Sequence, residues 1–500
     1  MPNMIHSRRL SLALFLAALP CCVEAAPHAH ASDPGPSASP PGSPVVTRPE
    51  SSPGAGSSSN SSRESHAAHA PEPPAQAAPI QEPVGPAGSG KDWTQEELAA
   101  ESLRIQADVE KLRGATFQGV VPVKLSSKAQ FVEYALERTR RMEPDAKRAA
   151  DETIQKMLGL IPPEMDLLEE SIRLLQDQVG GFYDPGTKTF YLMDNCPVGL
   201  ARIVLAHELG HALDDQLYDI DGTLAKLSTR SDAALAFQAV VEGSGTSVMN
   251  RWMKQLGPGA IGDVQDYSKM QAEQSESMAR SPMSLWKPLL AAYLKGAAFL
   301  ARTEKVLEGQ MRGASNGDIE RAFRDVPRST EQILHPAKYW EQDTLDEPET
   351  IELSTAKLPE GWSVLRRDVV GELQMAVWLQ SQGERGRIDA SSIDNAISFE
   401  YTGPASEGWD GDEALLLGKD DARALCWSTV WDSERDAAEF LGAALVLVGE
   451  LEGNLKQLAG GKSTLVHTAV RYVGERGVRV ELGYGLKRLE AKKLFEALGR

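Results

Sequence analysis

The sequence predicts an α+β protein, mainly helical, with a strand pair ahead of a central apolar helix and a small α+β unit at the end. Three observations carry this. Apolar residues recur at helical spacing through most of 94–346. The period becomes strand-like over Gly180 to Met193. Beyond Glu347, strand-like and helical runs alternate.

Met1 to about Ala26 predicts a signal peptide. His6, Arg8 and Arg9 are basic, Leu10 to Leu19 is apolar but too short to span a bilayer, and Val23-Glu24-Ala25 suits cleavage. The expected location is secreted, periplasmic or cell-envelope. Cys21 and Cys22 leave a lipid anchor as the alternative, although Pro20 departs from the usual lipobox. Residues 27–91 are rich in Ser, Pro, Ala and Gly, which predicts a disordered linker. No later stretch is long and apolar enough for a transmembrane helix. The net charge of -19 argues against nucleic-acid binding. Cys196 and Cys426 remain after cleavage and either pair or stay as separate buried thiols.

Folded sequence is expected over 92–346 and 347–500. Thr94-x-x-Glu97 is a capping box opening a helix to about Leu112. Val120 to Leu125 reads as a strand, at an edge because of Pro122. Ser126 or Ser127 caps a second helix, and Glu164 to Val179 is amphipathic after Pro162-Pro163. Asp184-Pro185-Gly186-Thr187 turns a hairpin.

The next helix, about Val198 to Leu217, holds the chemistry. His207 and His211 lie four apart, so both imidazoles reach one metal ion. Glu208 sits one step round, placed to take a proton from a water there but not to be a ligand. A random His-Glu-x-x-His is expected in roughly one such chain per hundred. The flanking Val204, Leu205, Ala206, Ala212 and Leu213 are apolar, as a buried site needs. His207-Glu208-Leu209-Gly210-His211 with these flanks resembles the active-site helix of the zincin metallopeptidases. The sequence downstream of it resembles the gluzincins, whose third ligand is a glutamate on a later helix.

Ser231 to Asn250 reads as that helix. Glu242 stands among Ala239, Val240, Val241 and Gly243, where an unpaired charge is costly to bury and a metal would remove the cost. The resemblance agrees on Glu242, and its rivals Glu273 and Glu276 lie in polar sequence. Gly243 is expected to let helices approach closely. Asp214 or Asp215 either supports a ligand imidazole or is a solvated acid. In zincins an edge strand before the metal helix pairs with extended substrate. The hairpin either does this or is only structural.

Gly257 to Ala279 reads as a loop and Leu285 to Leu307 as one core helix; Glu320 opens a shorter one. His335, in the polar run Ser329 to Tyr339, is either an electrophilic group for the oxyanion or a turn residue. Some gluzincins use a His or Tyr there. Beyond Glu347, Asp368 to Gln380 is helical and Gly408 to Asp412 a turn. Ala414 to Leu417 and Ala424 to Trp431 are strands, Arg435 to Leu451 is a helix, and a hairpin closes the chain. Gly460-Gly461-Lys462-Ser463 is no phosphate loop, since Lys456 stands where glycine is needed.

The resemblance implies a zincin-like core and a secreted zinc metallopeptidase acting on a peptide or protein substrate. His207, His211 and Glu242 would hold Zn2+, with Glu208 as general base to a zinc-activated water. The alternatives are a non-catalytic zinc-containing envelope scaffold and a hydrolase of non-peptide bonds.

Overall fold

Residues 93–256, 273–381, 399–458, 467–472, 478–485 and 488–498 are described by the computed structural model. The expected signal peptide, the Cys21 or Cys22 anchor, the linker, residues 257–272 and the Gly460 to Ser463 stretch lie outside them. Among the described residues the architecture is α+β with two sheets.

Thr94 caps helix α1 (Gln95–Arg113) through reciprocal bonds with Glu97, as the capping box predicts. Strand β1 (Val123–Ser126) comes next, and Ser127 caps helix α2 (Lys128–Met142). Helix α3 (Asp145–Met157) is not among the expected elements. Its apolar stripe, Ala146, Ala149, Ala150, Ile154 and Met157, is made mostly of small residues, and Ile154 and Met157 pack on the C-terminal core. Helix α4 (Leu167–Gln178) leads into strands β2 (Gly181–Asp184) and β3 (Thr189–Met193). These pair antiparallel about the expected turn, and β1 joins β3 parallel from the other side. Both β1 and β2 are therefore edges of this sheet.

Helix α5 (Val198–Tyr218) is buried from Leu200 to Asp215, because α1, β2, β3 and the long helix α7 (Ser231–Leu256) all pack on it. The short helix α6 (Ile220–Lys226) joins the two. Helix α8 (Met283–Leu300) packs closely against α7. A Cβ on Gly243 would stand 2.4 Å from the Gly296 backbone, and one on Gly296 would stand 2.0 Å from the Ala239 carbonyl oxygen. The glycine pair lets these two backbones touch. Gly243 thus permits close approach, but to α8 and not to the histidine helix.

Several expectations are corrected. The helix expected to reach Leu307 ends at Leu300; Arg302 adopts a φ of 55° and a separate helix α9 (Val306–Arg312) comes after it. Helix α10 (Asn316–Arg324) starts at a Ser315 cap, ahead of Glu320. Residues 273–280 are helical where a loop is expected. The polar run around His335 forms two short helices, α11 (Thr330–Leu334) and α12 (Ala337–Trp340), with α11 wholly buried.

In the C-terminal region, strand β4 (Ser363–Asp368) precedes helix α13 (Gly371–Gln380). The helix starts later than expected because Asp368 ends the strand and its carboxylate accepts the Ser231 N–H and hydroxyl. Strands β5 (Trp409–Lys419) and β6 (Ala422–Trp431), helix α14 (Glu434–Leu458), strands β7 (His467–Tyr472) and β8 (Val478–Tyr484), and helix α15 (Arg488–Leu498) complete the chain. The five strands pair antiparallel in the order β4-β5-β6-β8-β7. Of the stretch expected as a turn, Gly408 does close a turn at a φ of 76°, but Trp409 to Asp412 are the start of β5. Its irregularity is a bulge between Trp409 and Gly411, which inserts a residue without ending the strand.

Alternation puts Trp427, Trp431 and Leu482 against α14 and Leu415, Leu417 and Cys426 against α15, so helices cover both faces. Helix α13 packs on both α7 and α8 and so joins this unit to the helical region. No described helix is long and apolar enough to cross a membrane. Cys196 and Cys426 are both free and buried, in different core clusters.

Candidate metal centre

The α5 backbone places His207 and His211 on one face, and their ring planes stand nearly perpendicular at 88°. Their Nε2 atoms are 2.9 Å apart. Glu242, brought in by α7, sets Oε2 at 3.3 Å from each. Three ligand-type atoms from two helices thus meet at one point. Glu208 offers a carboxylate oxygen within 4.8 Å of the ring nitrogens and sits to the side. All four residues are buried.

The donor set fits a metal. Ligand atoms about 2.0–2.1 Å from a tetrahedral zinc lie ~3.3 Å from one another. The observed separations of 2.9, 3.3 and 3.3 Å are near that value. Burial and the neighbouring His211 hold the His207 imidazole below its ordinary range. Burial also opposes charge on His211, but the Glu242 carboxylate outweighs it and lifts the imidazole to about 9. Burial pushes the Glu208 carboxyl up to about 8. Two buried carboxyls beside two imidazoles form a site in which a dication would offset the cost of the buried charge.

The neighbours of these residues are specific. Gly245 lies over both imidazoles: a Cβ there would stand 2.7 Å from His211 Cε1 and 2.9 Å from His207 Cε1. Tyr293 of α8 stacks its ring on His207, with centroids 5.7 Å apart. The Tyr183 N–H, on the edge strand β2, donates to Glu208 Oε2 at 3.0 Å. The Tyr183 hydroxyl donates to Asp215, which Lys188 also meets at 2.6 Å. One residue thereby fastens the hairpin to α5 at two points.

Asp214 and Asp215 fit neither expectation. Both are buried, and neither is the partner of a ligand imidazole. Asp215 binds Tyr183 and Lys188, whereas Asp214 binds Arg113 and Ser244. The Nδ1 atoms of His207 and His211 have no hydrogen-bond partner among the described residues. His335 is tied elsewhere: its Nε2 lies 3.1 Å from Glu372 Oε1 and its Nδ1 3.7 Å from Glu304. No described hydrogen bond or ion pair links it to the histidine pair. The rival Glu276 is exposed and pairs with Arg280, and Glu273 is exposed as well.

Glu331, Asp346 and Asp432 form another acidic cluster. The Lys338 ammonium fills it, at 2.6, 2.7 and 3.1 Å from the three carboxylates. That cluster is a lysine clamp.

A family model described as Domain of unknown function (DUF8575) matches residues 362–483. The match covers the five-stranded sheet up to Gly483 with α13 and α14, and contains none of His207, Glu208, His211 and Glu242. No curated protein and no solved structure matches the chain.

Sequence reasoning missed Tyr293, Tyr183 and Arg113. Tyr293 had one signal, a lone hydroxyl-bearing ring within an apolar helix. Arg113 had none, because a cation in the last turn of a helix normally complements the helix dipole.

Proposed function

We propose that this chain is an exported zinc metallopeptidase of gluzincin type, with a zincin-like core. One observation carries the reading. His207, His211 and Glu242 aim three ligand atoms at one point, with the Glu208 carboxylate beside them. The intact Glu208 favours a catalyst over a scaffold, because a structural site has no use for a base.

Zinc bound by His207, His211 and Glu242 would supply Lewis-acid polarisation of a carbonyl and a water acidic enough to react near neutrality. Glu208 accepts the proton of the attacking water at its carboxylate and returns it to the leaving amine. The Tyr183 N–H holds that carboxylate in place. Tyr293 fixes the tilt of the His207 ring by stacking on it. β2 is an edge strand beside Glu208, but all four of its residues are buried and its Tyr183 N–H already serves Glu208, which favours the structural role for the hairpin.

Elemental analysis and Glu208→Gln test this together. The parent is expected to hold about one zinc per chain and to cleave peptides. Glu208→Gln keeps the volume but cannot accept the proton. It should retain zinc and lose at least about a hundredfold in turnover. Hydrolysis by Glu208→Gln at the parent rate would exclude the mechanism. A parent that holds zinc and cleaves no peptide would leave the scaffold reading.

A further inference from the structure

Four consecutive residues of α7 meet three different groups. Glu242 meets the imidazoles, Gly243 meets α8, and Gly245 lies over the rings. Between them, the Ser244 hydroxyl donates to Asp214 Oδ2 at 2.5 Å. Asp214 stands three residues, about one turn, beyond His211 on α5. Its other oxygen accepts from Arg113 Nη2 at 2.5 Å and Nε at 3.2 Å. Arg113 closes α1, and its side chain is 2 % exposed against 0 % for Asp214. Arg251 of α7 ties the same corner by donating to the Leu112 carbonyl and to Asn316.

A buried ion pair is a poor way to gain stability, since desolvation offsets much of the attraction. It is a good way to fix one arrangement. Asp214 is satisfied by one hydroxyl from α7 and one guanidinium from α1, and only one register of α7 on α5 brings Ser244 to it while Arg113 holds its other oxygen. Sliding α7 by a residue would separate Ser244 from Asp214 and move Glu242 off the imidazoles together. We infer that Arg113, acting through Asp214 and Ser244, is a positioning residue for the metal centre that sets where the Glu242 carboxylate meets His207 and His211. The inference rests on the metallopeptidase reading but concerns residues that touch neither metal nor substrate.

The test compares zinc affinity, by chelator competition, and the visible absorption spectrum of the cobalt-substituted protein. Arg113→Gln and Ser244→Ala are each expected to weaken zinc roughly tenfold or more, as outer partners of a site do. Each should also shift the cobalt bands while the far-ultraviolet circular dichroism stays that of the parent. The double variant Arg113→Gln/Asp214→Asn, which removes both charges, should recover part of the affinity that Arg113→Gln loses. Arg202→Gln is the control. It breaks the buried pair between Arg202 of α5 and Glu101 of α1. It should lower the melting temperature and leave zinc affinity and the cobalt spectrum unchanged. If Arg113→Gln does not fold, Ser244→Ala decides alone, because it leaves the ion pair intact. Parent-like zinc affinity and cobalt bands in both variants, whatever their melting temperatures, would overturn the positioning role and leave the metal site standing. A parent that binds no zinc would remove the metallopeptidase reading and this one with it.

Discussion

Gly245→Ala is the most direct probe of the geometry. The added methyl would sit 2.7 Å from His211 Cε1 and 2.9 Å from His207 Cε1. Non-bonded carbons settle at about 3.5–4.0 Å. Both rings must therefore retreat by ~0.6–0.8 Å or more, against a tolerance of about 0.2 Å for metal–ligand distances. The helix itself should bear the change, since alanine is favoured over glycine by about 1 kcal/mol in a helix interior. Overpacking of this kind costs about 1–3 kcal/mol, so the metal-free fold is expected to survive. Zinc affinity should fall by at least about tenfold. Chelator competition reads the affinity, and thermal melts without metal read the fold. Gly243→Ala is the contrast, because its methyl would meet the backbone of Gly296 at 2.4 Å and no side chain can move aside. That variant should lose at least about 2 kcal/mol of fold stability. Parent-like zinc affinity in Gly245→Ala would show that the imidazoles do not lie under this glycine.

Two more outcomes concern groups away from the metal. Burial opposes charge on His335, but the hydrogen bond and charge of Glu372 prevail and raise its pKa. A raised imidazole adds stability that is full below its unfolded value of about 6.5 and is lost as pH climbs through the folded value. The melting temperature of the parent should exceed that of His335→Gln most at about pH 6, and the gap should narrow above neutrality. A gap that is constant across this range would contradict the His335–Glu372 pairing. Burial pushes the Cys196 and Cys426 thiols up to about 12. Mass spectrometry of alkylated protein should show both unlabelled in the native state and both labelled after unfolding, with no disulfide. Rapid labelling of the native protein would refute the buried placement.

The sequence alone determined what one element can express. Residues four apart on a helix share a face whatever the rest of the chain does, so His207, His211 and the offset Glu208 were legible at once. The Thr94 box was legible for the same reason, its partners being three residues apart. Glu242 was legible by cost, because a carboxylate among alanine, valine and glycine needs a partner. Its α7 position does bring it to the imidazoles. Where local pattern misled, a non-local partner had decided. Gly408 to Asp412 has turn composition, yet the partner strand β6 holds Trp409 onward in β5 around a bulge. Asp214 and Asp215 look like solvated acids at a helix end, but Arg113 lies 101 residues before one and Tyr183 lies 32 before the other. Only the tertiary structure assigned Gly243 to α8, Gly245 to the imidazoles and Tyr293 to His207. The periodicity of a helix shows which residues share a face, but the groups that face meets depend on how the other helices pack against it.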